Sequence, residues 1–406
     1  MKIKPSLYWC FDFYHMLPML ILSCLTFTTF DGKHYISRLV VVMFVISCVF
    51  CRNTIINNIK KAEVRRILFF GFSVVVFFSL YSIFRGEQFS MPRTILVSLL
   101  YIVIVPWQMI SLNIVRLSIV LGGVAAGILG VYEYAILDIS RIGGVVNQIP
   151  FTLYVAITCV ISIATYLQCD NKYLKVLSVV SILGSVFAII MTEVRGVWLS
   201  IILTIISLVL FQLKRFGARR ISLITAATLI VLFSFYTIPE LSQRVNVTKQ
   251  EFVQISKGNM DTSIGLRFQL WHSAIEIIKD HPLMGVGTKK YPDLMVRQYQ
   301  QGMISELALS FKDAHFHNQY LDSYVRYGLI GVLAIIAIFL SPLFLYGKLD
   351  VGVKNICLAI ALICIFAALT DVPLIHTGII YILIIYPAAI FLSCSNNASG
   401  EVLNYT

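Results

Sequence analysis

The stretch VLSVVSILGSVFAIIMTEVRGVWLSIILTIISLVLFQL, residues 176–213, decides the fold. It holds two span-length apolar runs whose only charged residues are Glu193 and Arg195, with almost no loop between them. A helix crosses the hydrocarbon core with about 20 apolar residues, so these runs read as consecutive membrane helices joined by a turn at Glu193–Arg195. The rhythm repeats outward in both directions. Apolar runs lie near 14–30, 36–51, 67–84, 94–111, 117–136, 150–168, 174–192, 196–213, 221–238, 326–346, 355–371 and 374–393, about twelve spans. Of the 406 residues, 58% are hydrophobic and 13% charged, against ~25% charged in soluble domains. That excludes a soluble multidomain enzyme, a secreted disulfide scaffold and a disordered chain. The expected fold is an all-α polytopic membrane protein.

The +12 net charge is first a topological signal. With the N-terminus inside, the loops of that side collect sixteen Lys and Arg, among them Arg52, Lys60, Lys61, Arg65, Arg66 and Lys214 to Arg220. The short loops opposite hold six: Lys33, Arg38, Arg85, Arg93, Arg141 and Arg195. The positive-inside rule then predicts both termini to be cytoplasmic and leaves little basic charge for nucleic acid to explain, anionic lipid being the expected partner. The nine cysteines fall in or beside apolar runs, where a thiol acts as a small hydrophobe. Pro18, Pro106 and Pro387 lie inside spans and are expected to kink them.

One segment breaks the rhythm. Residues 239–325 contain no span-length run, which divides the chain into helices one to nine (1–238), an outer loop domain (239–325) and helices ten to twelve with a cytoplasmic C-terminus (326–406). Long loops of this kind are usually functional. Arg244 to Asp261 reads as mixed helix and coil. Ser263 to Asp280 places Ile264, Phe268, Trp271, Ala274, Ile275 and Ile278 at helical spacing, an amphipathic helix capped by Thr262 or Ser263 and stopped at His281-Pro282. Tyr291 to Leu309 is expected to form a second surface helix. Up to Asn318 the loop carries nine Lys/Arg and eight Asp/Glu, so it is not a basic arm.

The densest cluster of chemistry-bearing residues, Asp313 to Gln319, lies here, and others stand at the adjoining membrane boundary. Arg195, squeezed between two apolar runs, must lie at the outer boundary or point into a cavity, and such an Arg is a site candidate by default. Beside Trp198 it equally suits a snorkelling anchor. Arg267 sits on the amphipathic helix, where it either serves a site or decorates the polar face. His317 is a candidate proton acceptor, histidine being the side-chain type suited to that role near neutrality. His315-x-His317 offers two nitrogens without a third ligand at recognisable spacing, so no metal site is expected.

His317-Asn318, nine intervening residues, and then Gly328-Leu-Ile-Gly331 make a motif. Together with Gly265-Leu-Arg267, Trp271, Ala274, the Pro282–Gly287 turn and Glu193-Val-Arg195-Gly-Val-Trp198, it resembles the O-antigen ligase family over roughly residues 190–335. The first five spans resemble that family only in hydropathy. The resemblance implies a GT-C-like glycosyltransferase of the bacterial inner membrane with its active site facing the periplasm. Its implied donor is O-antigen linked to undecaprenyl diphosphate, its acceptor an outer-core sugar of lipid A-core, and its product lipopolysaccharide. No cofactor or metal is implied, because the diphosphate ester is already activated.

On that resemblance the catalytic residues are His317, Arg267 and Arg195. The two guanidiniums grip the diphosphate bidentately, and His317 accepts or orients the acceptor hydroxyl during an inverting displacement. Supporting candidates are Asn318, which either orients His317 or caps the next helix; Glu193, placed to pair with Arg195; Lys289 and Lys290, after the glycine turn; and Asp371 and His376, in the last outer turn. An O-antigen polymerase or a protein O-oligosaccharyltransferase would share this donor end. A lipid-glycan flippase is disfavoured, because the two halves differ and the polar groups sit near one boundary rather than along a path through the bilayer.

Overall fold

The computed structural model describes residues 5–143, 145–212, 237, 239–345 and 351–394. Every element among them is helical. In chain order these are α1 (Pro5–Cys24), α2 (Gly32–Phe50), α3 (Arg52–Lys60), α4 (Ala62–Arg85), α5 (Ser90–Ile104), α6 (Leu112–Ala135), α7 (Gln148–Gln168), α8 (Lys172–Met191) and α9 (Arg195–Gln212). There follow α10 (Pro239–Ser256), α11 (Ser263–Asp280), α12 (Tyr291–Gln300), α13 (Glu306–Leu309), α14 (Gln319–Phe344), α15 (Val351–Ala367) and α16 (Thr377–Cys394), with a 3-10 turn at Pro373–Ile375. Helices α2, α4, α6, α7, α8, α14 and α16 are long and apolar enough to cross a membrane; α5, α15 and most of α1 and α9 are shorter apolar helices. The chain is an all-α polytopic membrane protein. The span expected at 221–238 lies outside the described residues, save Thr237.

Burial sorts the helices. The spanning window of α16 is 83% buried, whereas those of α2 and α4 are only 22% buried. Helix α16 is apolar all round because protein surrounds it, while α2 and α4 turn Val42, Val45, Val49, Phe69, Ile83 and Phe84 outward. Such a belt of exposed apolar side chains suits lipid. Helices α6 and α8 cross at closest approach where glycine faces glycine: a Cβ on Gly127 would lie 2.7 Å from the Gly184 Cα, the small-residue contact of membrane helix pairs.

Pro106 corrects one expectation. Instead of kinking a span over 94–111 it ends α5 at Ile104, since proline removes an N–H and drives the preceding residue to extended geometry. The orphaned carbonyls find other donors. The Trp107 indole donates to the Ile102 carbonyl at 2.8 Å, and the Asn58 amide of α3 donates to the carbonyls of Val103 and Val105, each at 2.8 Å. Pro18 and Pro387 do lie within helices, α1 and α16.

Residues 239–318 cap one end of the bundle with a core of their own, built from Leu270, Ala274, Ile277, Tyr291, Met295 and Phe316. Helix α11 has the expected limits, and the Thr262 hydroxyl accepts the Gly265 N–H as its N-cap. Arg244 to Asp261 is helix up to Ser256 and turn and coil beyond it, as expected. One expectation fails: 291–309 is two helices broken at Gly302, whose φ of +73° no helix continues. Gly328 explains the first glycine of the motif. It interrupts α14 at φ +70°, and a Cβ there would sit 2.1 Å from the Leu283 carbonyl oxygen. Only glycine lets the 282–287 turn press into this kink, where the Val286 N–H donates to the Val325 carbonyl at 2.7 Å.

Candidate functional site

The turn between α8 and α9 delivers the first arginine. Thr192–Val194 reverses the chain with Glu193 in the left-handed region at φ +54°, so Arg195 begins α9 at the capped end. Helix α10 covers it with one face. Arg244, Thr248 and Glu251 recur at helical spacing, and Arg195 donates to the Thr248 hydroxyl at 2.8 Å and to Glu251 Oε1 at 2.9 Å. Glu193 does not pair with Arg195 as expected. It accepts from Arg244 Nε at 2.5 Å instead, because its left-handed backbone turns the carboxylate toward α10.

Glu251 also reaches α11, where its second oxygen accepts the Ile264 N–H at 3.0 Å. One turn further along, Arg267 contacts the Ser263 hydroxyl at 3.3 Å and leaves its buried Nε without a hydrogen-bond partner. Burial lowers the Arg267 pKa, nearby Asp371 opposing, yet a guanidinium stays charged under such a shift. Arg195 and Arg267 line one cavity of about 240 Å³ with Arg141, Arg244, Asp371 and His376. Arg141 and Arg244 are not among the site residues expected from the sequence. Arg244 was legible in principle, three residues in one stripe of α10 being its signal.

The turn between α15 and α16 supplies the other half. Asn318 caps α14, accepting the N–H groups of Tyr320 and Leu321, and its amide donates to the Leu369 carbonyl at 3.1 Å. The Gln319 N–H donates to the carbonyls of Ala368 and Asp371, and its side-chain oxygen accepts the Leu374 N–H at 2.9 Å. These backbone staples bring His317 to Asp371, with His317 Nδ1 and Asp371 Oδ1 3.3 Å apart. His376 Nε2 stands 3.8 Å from the second oxygen. Burial alone would raise the Asp371 pKa, but the hydrogen bond with His317 and the nearby imidazole of His376 hold it well below the usual carboxylate range.

His317 itself is in the left-handed region at φ +48°, conformational strain of the kind that clusters at functional sites. Its carbonyl accepts from the Trp271 indole at 3.4 Å, and its ring packs on Phe311 and His315. Donor atoms of His315, His317 and Asp371 lie within 4.8 Å of one another, so Asp371 supplies the third group that His-x-His lacks in sequence. Two of these atoms are engaged with each other, and His315 Nδ1 accepts the His317 N–H at 3.2 Å. His317 reaches the arginine cavity through Asp371 rather than lining it.

A further network lies behind the loop. Arg326 meets Asp322 Oδ2 at 2.9 Å, Glu87 Oε2 at 3.5 Å and the Ala314 carbonyl at 3.0 Å, while Asp322 Oδ1 accepts the Phe316 N–H at 3.4 Å. Glu87 in turn accepts the Thr288 N–H at 2.6 Å. The next two residues, Lys289 and Lys290, point elsewhere: neither lines the arginine cavity, and Lys290 borders a separate hollow beside Arg85 and His281.

Residues 179–336 match the family model described as O-antigen ligase. Over 173 residues the chain is 30% identical to an uncharacterized protein of Haemophilus influenzae, an alignment covering 42% of this chain and 43% of that one. The chain thus spans less than half the length of that relative. The matched segment runs from α8 into α14 and contains Arg195, Arg267, His317 and Gly328, the residues on which the resemblance rested. Over this segment, which is less than half of the chain, the protein is similar to the O-antigen ligase family.

Proposed function

We propose that the protein is an O-antigen ligase, transferring glycan from undecaprenyl diphosphate to an outer-core sugar of lipid A-core on the periplasmic face of the bacterial inner membrane. The family supports a ligase- or polymerase-type transferase. The observation that carries the finer reading is that Arg195 and Arg267, far apart in sequence, line one cavity with Asp371 and His376, and that Asp371 holds His317.

In this reading Arg195 and Arg267 bind the diphosphate and stabilise the charge that grows on it as the glycosidic C–O bond breaks. Electrostatic stabilisation of a charge that develops in the transition state is a large contribution to catalysis. The acceptor oxygen attacks the anomeric carbon from the opposite face, inverting it, and its proton passes to the imidazole group organised on Asp371, with His317 as the acceptor or the orienting residue. A sugar hydroxyl is far less acidic than imidazolium, so proton transfer is late and concerted with departure of the diphosphate. The arginines supply the charge that a divalent cation supplies in other diphosphate sites, and chelation by EDTA is expected to leave transfer unchanged.

Deleting the gene and running the lipopolysaccharide on a gel tests the function, with wild type and His317→Ala as complements. Loss of the whole ladder, with long chains accumulating on undecaprenyl diphosphate, is the expected result. A surviving band of core plus one repeat would identify a polymerase. Unaltered lipopolysaccharide would overturn both in favour of protein glycosylation or transport.

A further inference from the structure

The capped end of the bundle holds a second cavity, about 320 Å³, which no motif pointed to. It opens where α2, α5, α7 and α16 all begin. Lys33 and His34 come from the first turn of α2, Arg93 from the first turn of α5, Asn147 from the cap of α7 and Thr377 from the start of α16. Its lining differs in kind from that of the arginine cavity. There, Arg195 and Arg244 are already occupied by Glu251 and Glu193. Here, among the described residues, no carboxylate lines the wall, and neither Lys33 nor Arg93 has an ion-pair partner. The helix N-termini add partial positive charge of the same sign. Hydroxyls and amides, among them Ser90, Thr94, Asn147 and Tyr381, offer the hydrogen bonds that sugar hydroxyls take. The volume is at the low end of the ~300–1,000 Å³ typical of small-ligand sites.

The two cavities meet. Pro150 and His376 line both, and His376 is the imidazole that faces Asp371. We infer that the second cavity is the acceptor pocket and takes an anionic saccharide, one carrying phosphate or carboxylate near the reacting hydroxyl, held by Lys33 and Arg93. This rests on reading the first cavity as the diphosphate site. A hydroxyl held on the far side of the His376 seam approaches the anomeric carbon from the side opposite the departing diphosphate, as an inverting displacement requires. The attacking oxygen forms its bond to that carbon, the carbon–diphosphate bond breaks, and the hydroxyl proton goes to an imidazole of the Asp371 group.

The test uses the full chain in nanodiscs, an undecaprenyl-diphosphate glycan as donor, and a lipid-linked core saccharide as acceptor, intact or chemically dephosphorylated. In the Lys33→Gln/Arg93→Gln variant the acceptor KM is expected to rise about tenfold or more, two charge-assisted contacts being lost, while the donor KM stays within about twofold. With the wild type, dephosphorylating the acceptor should raise its KM comparably and remove most of the difference between wild type and variant. An acceptor KM unchanged in both comparisons would overturn the inference. An effect of the variant seen in phosphatidylglycerol nanodiscs and absent in phosphatidylcholine ones would overturn it too, assigning the cations to a lipid headgroup. Arg195→Gln separates the underlying reading: if it leaves the donor KM unchanged, the diphosphate site itself is wrong, whatever the second cavity binds. Should the double variant not fold, the wild-type comparison of the two acceptors decides alone.

Discussion

Two turns at the capped end of the bundle meet in one site, and they are held in different ways. The α8–α9 turn offers Arg195, whose guanidinium is engaged by the Glu251 carboxylate; in the proposed function that carboxylate stands where a diphosphate oxygen would bind. The α15–α16 turn offers Asp371 and His376 through hydrogen bonds its own carbonyls accept, from the Asn318 side-chain amide and the Gln319 N–H. The α8–α9 turn is also fixed through its backbone, its Thr192 and Met191 carbonyls accepting from Arg141 Nε and the Ile142 N–H, but the Arg195 head itself is held by a side-chain carboxylate that a charged ligand can replace. Under the function proposed above, the comparison separates an adaptable clamp from a more rigid frame for proton transfer. Variants in the clamp should act mainly on donor binding, and variants in the frame on turnover.

The largest effect belongs to the frame. His317→Gln keeps a hydrogen bond to Asp371 but cannot accept a proton, and kcat is expected to fall about 10²- to 10⁴-fold with the donor KM nearly constant. Substantial residual turnover would leave His317 only a positioning role. The clamp comes next. Arg195→Lys/Arg267→Lys preserves both charges and loses the bidentate fork, so a fall in kcat/KM of about 10²-fold is expected. Wild-type behaviour would break the assignment of a clamp. Gly328→Ala probes what fixes the frame to the outer segment, because the new Cβ meets the Leu283 carbonyl in a backbone conformation that side chains rarely adopt. A loss of about 2–3 kcal/mol is expected, read as a lower thermal midpoint in detergent. An unchanged midpoint would mean that the 282–287 turn does not depend on the kink.

The rhythm of spans, the limits of α11 and the three residues Arg195, Arg267 and His317 were legible because each is a local pattern: an apolar run, a helical period, a motif. Partners were not. Glu193 lies two residues from Arg195, and proximity in sequence suggested the pair, but a left-handed turn and helix α10 gave each a different partner. Asp371 could be named as facing the cavity, yet its hydrogen bond to His317 depends on Gln319 stapling the last turn, which no spacing encodes. The Arg326–Asp322–Glu87 network was missed because Arg326 reads as the polar edge of an apolar run. Its partner Glu87 lies on another loop, brought there only by packing.

The carboxylate at the centre of the frame makes a pH prediction. Asp371 is held ionised by its two imidazole neighbours against the opposing effect of burial. With its folded pKa depressed, its contribution to stability is present above the ordinary carboxylate pKa, about 3.9, and is lost only as pH falls through the lower folded value. Any acid limb of activity near neutrality therefore belongs to an imidazole. In Asp371→Asn the negative charge that favours the protonated imidazoles is gone, so that limb should move to lower pH as kcat falls. A limb left in place would detach Asp371 from the group that titrates.

The smallest effect tests the clamp from inside. If Arg195 binds the diphosphate, Glu251 competes for it, since one carboxylate oxygen accepts from Arg195 while the other ties α10 to the Ile264 N–H of α11. In Glu251→Gln the competing charge is removed, while the amide oxygen can still accept one of the two hydrogen bonds. Donor binding gains the freed guanidinium and loses part of the docking of α10. A partly exposed ion pair contributes only about 0–1 kcal/mol net, so the donor KM should fall by no more than about fivefold, with kcat near wild type. A rise in donor KM would mean that Glu251 holds Arg195 in its binding orientation, and the clamp would then be as preorganised as the frame it faces.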